Sequence, residues 1–476
     1  MGLQKCSGSA FYQYVAGFSA TIATLVSGMQ YGWPAPSLPQ LLDDTSYIHI
    51  DEDIGYWLAT APLLGALVGS LSTPLFLDRI GRHKTILLTG LPYVLSWFLI
   101  YIASSYQVIL AGRVIAGVAD GWMFCSVPVY IGEIAEPRIR GFLGSMISVS
   151  YIGGILLVDI IGSFCTVPVT ALISAVFPIG MVVIFFFMPE SPYFLVMKGD
   201  NEAAIKKLQI LRGTNNVEKE IVRIQEGIQE EKSVKSNPLD LFRIPSNRKA
   251  LFIILALRVC QEFSGDSAIT FYTQNIFKEA GTNIPEDIAS IILFVIELVV
   301  TIVAASLVDR FGRRPLLIFS AIGAAIALLV EGIYFYLKIC TDLNLSDFNL
   351  VPLVALICFV VCFGSGLKVI PMLMLGELFP ASVKAASVAV ADLSVAAFVM
   401  TVSKYFQFTR DHFGMHVPFI SFAVFCTIGL LYIIFCVPET KGKTLEEIQD
   451  NLKGRKKIDE KNIESRLSSV HKSVHM

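Results

Sequence analysis

Apolar stretches of about 20 residues recur along this chain, each long enough to cross ~30 Å of bilayer hydrocarbon as a helix. Twelve are found. Six lie near 11–33, 56–76, 85–102, 109–131, 142–161 and 166–188, and six near 250–276, 287–308, 315–337, 351–375, 384–404 and 417–437. No water is at hand in the hydrocarbon to satisfy backbone N–H and C=O groups, so such stretches must be helical. The expected fold is an all-α membrane protein with twelve transmembrane helices, surrounded by the lipid bilayer. Charge agrees: Asp, Glu, Lys and Arg make up 16% of the chain, against ~25% in soluble proteins. Of the 76 charged residues, 36 lie within 189–249 and 438–476.

This composition excludes several classes. A net charge of −2 implies no nucleic-acid partner. Cys125, Cys260, Cys358, Cys362, Cys426 and Cys436 sit inside apolar stretches, where cysteine behaves as a small hydrophobe. No CxxC pair or His/Cys cluster occurs, so no metal and no cofactor are expected. No nucleophile–base arrangement or phosphate loop suggests an enzyme. The N-terminus lacks a cleavage pattern, and the first stretch reads as a retained signal anchor.

Lysine and arginine stay on the cytoplasmic side of membrane proteins. The loop after span 2 reads Asp78-Arg79-Ile80-Gly81-Arg82-His83-Lys84, and that after span 8 reads Asp309-Arg310-Phe311-Gly312-Arg313-Arg314. Residues 34–55, by contrast, hold five acids and no Lys or Arg. Both termini, segment 189–249 and tail 438–476 are therefore expected in the cytoplasm. The sequon Asn344-Leu345-Ser346 then falls outside, where Asn344 is a glycosylation candidate.

Three patterns occur twice in the same order. Asp78-Arg79-x-Gly81-Arg82 returns as Asp309-Arg310-x-Gly312-Arg313. Glu133 with Arg140 returns as Glu377 with Lys384, and Pro189-Glu190-Ser191 returns as Pro438-Glu439-Thr440. The offsets of 231, 244 and 249 imply two homologous six-helix halves, 1–188 and 250–437. Segment 189–249 joins them through amphipathic helices, with Ala204, Leu208 and Leu211 on one stripe and Ile221, Ile224 and Ile228 on another. Parallel repeats suit a carrier that rocks one half against the other around a midplane site.

These motifs, with Gly112-Arg113-Val114-Ile115-Ala116-Gly117, Pro128-Val129-Tyr130-Ile131-Gly132-Glu133 and Pro438-Glu439-Thr440-Lys441-Gly442, resemble the sugar porter family of the major facilitator superfamily over about residues 10–450. Phe263-Ser264-Gly265, Phe271-Tyr272-Thr273 and Gly376-Glu377-Leu378-Phe379-Pro380 look most like the insect facilitated trehalose transporters. The charges at one membrane face are expected to form a cytoplasmic gate. Asp78 and Arg82 would pair with Glu133, Arg140 and Glu190. Asp309, Arg313 and Arg314 would pair with Glu377, Lys384 and Glu439. Such pairs can close the inner mouth in one state and separate in the other. Tyr193 and His83 depart from the family's basic residues, which thins the network in the first half.

The resemblance also implies a solute site, and here the chain departs from the family. The family's amides fall on Ser148, Gln261, Glu262, Ser267 and Glu297, and only Gln261 is unchanged. Asp266 replaces an isoleucine. The proline-rich stretch ending in tryptophan becomes Gly366-Leu367-Lys368-Val369-Ile370-Pro371-Met372, so a lysine enters and Met372 stands where the indole was. In span 11, Val395, Ala396 and Val399 fall on the family's asparagine and aromatic positions. Near mid-membrane the chain carries Asp120, Glu262, Asp266, Glu297 and Asp392 with Arg113, Arg258 and Lys368. Each Asp, Lys or Arg there costs at least ~2.5–3.5 kcal/mol unless it faces a cavity or partner. Arg258 and Glu262, four apart, are expected to pair along one helix face. Glu297 and Asp266 are candidates to exchange a proton. The acid of proton-coupled relatives in span 1 is replaced by Pro34.

The expected function is a secondary carrier moving a small-molecule solute of the trehalose or hexose class across the plasma membrane by alternating access. Two alternatives stand: a proton-coupled or charged-solute carrier on this scaffold, and a non-transporting sensor that recruits partners through its tail.

Overall fold

A computed structural model describes residues 9–233, 239–341, 346–441, 443 and 447–448, which contain helices and no strand. The first six spans are Ser9–Gly32, Glu52–Ile80, Arg82–Ile102, Tyr106–Ile134, Pro137–Phe164 and Val167–Phe185. Span 7 is Pro245–Glu262 followed by Asp266–Ala280. Spans 8 and 9 are Glu286–Phe311 and Arg313–Cys340. Span 10 is Val351–Ser365 followed by Ile370–Leu378, and spans 11 and 12 are Ala381–Phe413 and His416–Cys436. Asn344 and most of the tail lie outside the described residues.

Among the described residues, ten helices are long and apolar enough to cross a membrane; spans 1 and 7 are not among them. Span 1 carries Gln13, Ser19, Thr21, Thr24, Ser27 and Gln30, all buried against protein rather than facing lipid. Span 7 differs from the unbroken helix expected: Gly265, at φ +87°, ends its first part and opens its second. Span 10 is likewise interrupted, between Ser365 and Ile370. These breaks face one another from neighbouring helices and position the site.

The first half is drawn tight by glycines. A Cβ on Gly117 of span 4 would lie 1.9 Å from the Pro62 carbonyl oxygen of span 2, and one on Gly28 of span 1 would lie 1.9 Å from that of Tyr151 in span 5. With no hydrophobic drive between helices in lipid, small residues let backbones approach and gain dispersion contacts.

Asn201–Arg212 is capped by Asp200, whose carboxylate accepts from the Ala203 N–H at 3.1 Å, and ends at Gly213 in the left-handed region. Ala204, Leu208 and Leu211 are buried, as their spacing predicts. Arg212 donates to the Ile134 carbonyl at 2.8 Å and pairs with Glu220 at 2.7 Å, docking this linker helix on the first half.

At the opposite face of the bundle, the halves are tied directly. Asp53 of span 2 pairs with Lys404 of span 11 at 2.5 Å, and Glu52 with Arg410 at 2.8 Å. The Tyr56 hydroxyl donates to the Met400 carbonyl at 3.2 Å. Asp159 of span 5 accepts from Gln274 of span 7 at 3.0 Å and from Ser290 of span 8 at 2.7 Å.

Candidate functional site

The repeated charges build the same device twice on the linker face. Gly81 and Gly312 turn the chain at φ +99° and +92°, where a side chain is strained. A Cβ on Gly81 would meet Glu190 Oε2 at 2.2 Å, so the glycine also admits that carboxylate. Glu190 accepts from the backbone N–H groups of Arg82 and His83 at 3.1 and 3.0 Å, an anion on a helix N-terminus. Glu439 accepts likewise from Arg313 and Arg314 at 3.1 and 3.0 Å. Burial pushes the Glu439 carboxyl up, but the backbone donors of Lys441, Arg313, Arg314 and Thr440 outweigh it and hold it below its ordinary value.

The guanidinium of Arg82 pairs with Glu133 at 2.9 Å, and that of Arg313 with Glu377 at 2.8 Å. Ser191 and Thr440 hydroxyls donate to the same two glutamates. Asp78 lies 3.8 Å from Arg82. Two expected partners stand apart. Arg140 donates to the Ala135 carbonyl at 3.2 Å, and Lys384 to that of Gly376 at 3.4 Å. The Arg314 side chain donates to the Ile434 carbonyl, and the side chain of Asp309 lies outside the described set. Both networks join helices of one half.

At the helix breaks, Lys368 lies 3.3 Å from Asp266 and donates to Glu297. Asp266 opens the second part of span 7, and Lys368 lies in the interruption of span 10. The two carry side-chain exposures of 20% and 21%, whereas Glu297 is 6% exposed. Glu262 accepts from the Ser267 hydroxyl at 2.8 Å. The expected Arg258–Glu262 pair is not formed as an ion pair. Arg258 instead donates to Gln261 at 2.9 Å and to the Met372 sulfur at 3.3 Å. The first part of span 7 ends at Glu262, so its side chain follows the break toward Ser267.

Other charges serve the framework. The Arg113 guanidinium donates to the carbonyls of Leu58 and Ala59 at 2.9 and 3.3 Å and to that of Gln30, with Trp33 5.0 Å away. It straps spans 1, 2 and 4 together. Asp120 accepts from the Tyr93 hydroxyl at 2.6 Å. Asp392 is half-buried and within electrostatic reach of Arg258. Ser148 is exposed on span 5.

Sequence reasoning missed an aromatic wall contributed by the first half. Tyr31 packs on Phe271 at 4.8 Å and on Tyr151 at 5.7 Å, and Phe124 packs on Tyr151 at 5.7 Å. Tyr31 lies close to Ser267 and within electrostatic reach of Glu262, Asp266 and Lys368. Phe124 is 46% exposed despite lying mid-span. Single aromatics in apolar helices carry no signal that separates a wall from core. Two buried acids were also passed over. Asp159 spans the interface between halves, and Glu331 is fully buried in span 9 with no hydrogen bond to either carboxylate oxygen among the described residues.

Two six-helix repeats and broken helices whose interruptions meet at a polar cluster define a secondary carrier of the major facilitator type. The family model "Sugar (and other) transporter" matches residues 4–452, and the chain belongs to this family. It is 34% identical over 446 residues to the facilitated trehalose transporter Tret1 of Apis mellifera ligustica, covering 93% of this chain and 88% of that one. It is 35% identical over 450 residues to Tret1 of Polypedilum vanderplanki, covering 94% and 89%. Among solved structures, the inward-open xylose transporter XylE from E. coli superimposes with TM-score 0.77 at 20% identity, over 92% of this chain and 99% of that one. The proton:xylose symporter XylE bound to 6-bromo-6-deoxy-D-glucose does so with TM-score 0.72 at 23% identity, over 93% and 100%. The protein is a multi-pass membrane carrier of sugars.

Proposed function

We propose that this chain moves a sugar of the trehalose or hexose class down its gradient across the plasma membrane, with the linker, both termini and the tail in the cytoplasm. Halves 1–188 and 250–437 rock about a solute held between the aromatic wall and the charged triad. The observation that carries this reading is the placement of polar ties. Lys404–Asp53, Arg410–Glu52 and Gln274–Asp159 bridge the halves on the face opposite the linker. The Arg82 and Arg313 networks remain within their halves. This supports a state closed to the outside, in which the inner networks brace each half; their closing against one another belongs to the opposite state. Alternating states must lie within a few kcal/mol to exchange, so each tie need bias the balance only slightly. The test is uptake of radiolabelled trehalose, glucose, polyols and small ions by proteoliposomes, with and without a pH gradient. Saturable sugar uptake indifferent to the gradient supports the reading; ion uptake without sugar uptake overturns it.

A second reading is favoured by Asp266 and Glu297, two acids within the solute site. A proton or charged solute exchanging there would make uptake follow the pH gradient.

A further inference from the structure

The triad of Lys368, Asp266 and Glu297 has no counterpart in the amides that the family places in its site. Three features decide what it can hold. First, the Lys368 ammonium already satisfies both carboxylates. A cationic solute would have to displace a covalently attached cation that costs no translational entropy to hold. Second, the three groups sum to a formal charge of −1, which repels an anionic solute. Third, the triad retains hydrogen-bonding capacity. An ammonium has three N–H donors. One serves Glu297 and one is shared by the two oxygens of Asp266 at 3.3 and 3.4 Å, which leaves one. Asp266 retains acceptor lone pairs, and Lys368 and Asp266 are the two triad members that remain accessible. Beside them, Gln261 accepts from Arg258 through its oxygen, which frees its NH2 group to donate.

We propose that Lys368 and Asp266 form a clamp for a neutral vicinal diol and that Lys368 is a specificity-determining residue of this carrier. One solute hydroxyl accepts from the free Lys368 N–H while its neighbour donates to an Asp266 oxygen. The pair thus does with charges what an amide does with its N–H and C=O, and charge-assisted bonds are the stronger kind. Glu297 is the buried counter-charge that holds the ammonium in place. The apolar face of the sugar ring rests toward Phe124 and Tyr151, rings that the other half supplies. The triad therefore selects a neutral polyhydroxylated solute and needs no proton.

This inference rests on the sugar-carrier reading, and the experiment separates the two. Uptake of D-glucose, trehalose, 2-deoxyglucose and glucosamine is measured in proteoliposomes for the wild-type protein, Lys368→Met, and Lys368→Met combined with Glu297→Leu. The combined variant keeps the local charge at −1 and replaces a buried ion pair by apolar groups, a change that folds typically tolerate. Its elution profile and melting temperature are measured alongside. The expected result is a folded combined variant whose KM for the preferred sugar rises on the order of tenfold or more, the loss of a charge-assisted hydrogen bond. Glucosamine should compete no better than glucose for the wild-type protein. An unchanged KM in the folded combined variant, or preferential uptake of glucosamine, overturns the clamp and leaves the sugar carrier standing. No saturable sugar uptake by the wild-type protein overturns both. If Lys368→Met alone fails to fold, the combined variant still decides.

Discussion

Glu297 is where residue chemistry divides the two functional readings most sharply. Glutamine has nearly its shape, still accepts hydrogen bonds and cannot exchange a proton. In the clamp, Glu297→Gln keeps an acceptor for Lys368 but weakens its hold, so the sugar KM should rise by about threefold to tenfold. Uptake should stay indifferent to a pH gradient. Wild-type uptake that follows the gradient, with that dependence abolished in Glu297→Gln, would establish proton exchange at Glu297 and remove the uncoupled reading. Glu439 gives a second residue-scale prediction, with its sign set by its depressed acidity. A carboxyl held below its unfolded value near ~4.3 contributes stability that is fully present above that value. The contribution fades as pH falls through the folded value. The melting-temperature difference between wild type and Glu439→Gln in detergent should hold level from pH 8 to about 5.5 and close only in stronger acid. A difference that changes near pH 7 would mean that another group sets it. The intramembrane acids were visible as anomalies of sequence, but Lys368 is 102 positions from Asp266 and 71 from Glu297. No local spacing rule connects them.

At the scale of the element, two glycines of span 4 make opposite predictions. Gly117 meets the Pro62 carbonyl oxygen, whereas a Cβ on Gly132 finds nothing within 4 Å. Gly117→Ala forces spans 2 and 4 apart and should cost about 1–3 kcal/mol or more. Gly132→Ala adds helix propensity and should be neutral or stabilising by up to about 1 kcal/mol. Melting temperatures of the purified variants test this; equal values would show that the helices relax without cost. Length and apolarity made the helices legible. The interruption of spans 7 and 10 was not, because the residues there, Phe263-Ser264-Gly265 and Gly366-Leu367-Lys368-Val369, do not force a break by their chemistry alone. The break follows from Gly265 adopting a left-handed conformation against the ring of Phe422, which leaves no room for a Cβ.

For the whole molecule, the decisive quantity is the balance between states. Lys404 and Arg410 belong to the second half and pair with Asp53 and Glu52 of the first. In the proposed topology, replacing both with alanine removes attraction from the outward-closed state and touches neither linker-face network. We expect the double variant to shift toward the outward-open state by at least several-fold in population: the exposed Lys404–Asp53 pair contributes ~0.2–1 kcal/mol, and breaking the pair made by the buried Arg410 guanidinium costs more. Thiol labelling of a cysteine placed at Ser163 from outside should quicken correspondingly. Unchanged labelling would mean that the buried Asp159 contacts with Gln274 and Ser290 hold that face shut. The Lys404 and Arg410 pairs would then be incidental.

The order of apolar stretches, the repeated Asp-Arg-x-Gly-Arg turns and their glutamate partners were determined by sequence alone. Each depends on lengths and spacings that the bilayer and the helix impose on any chain. The pairing of Arg82 with Glu133 and of Arg313 with Glu377 followed from the repeat, because both halves had to solve the same turn. Tertiary structure alone decided the rest. The Arg258–Glu262 pair was lost because the helix ends at Glu262, turning that side chain toward Ser267. Lys368 found Asp266 and Glu297 because two broken helices and span 8 converge there. Asp159 found Gln274 and Ser290 because the halves are closed on that face. A charge buried in a membrane must find partners, but which partners depends on where the chain brings distant helices together.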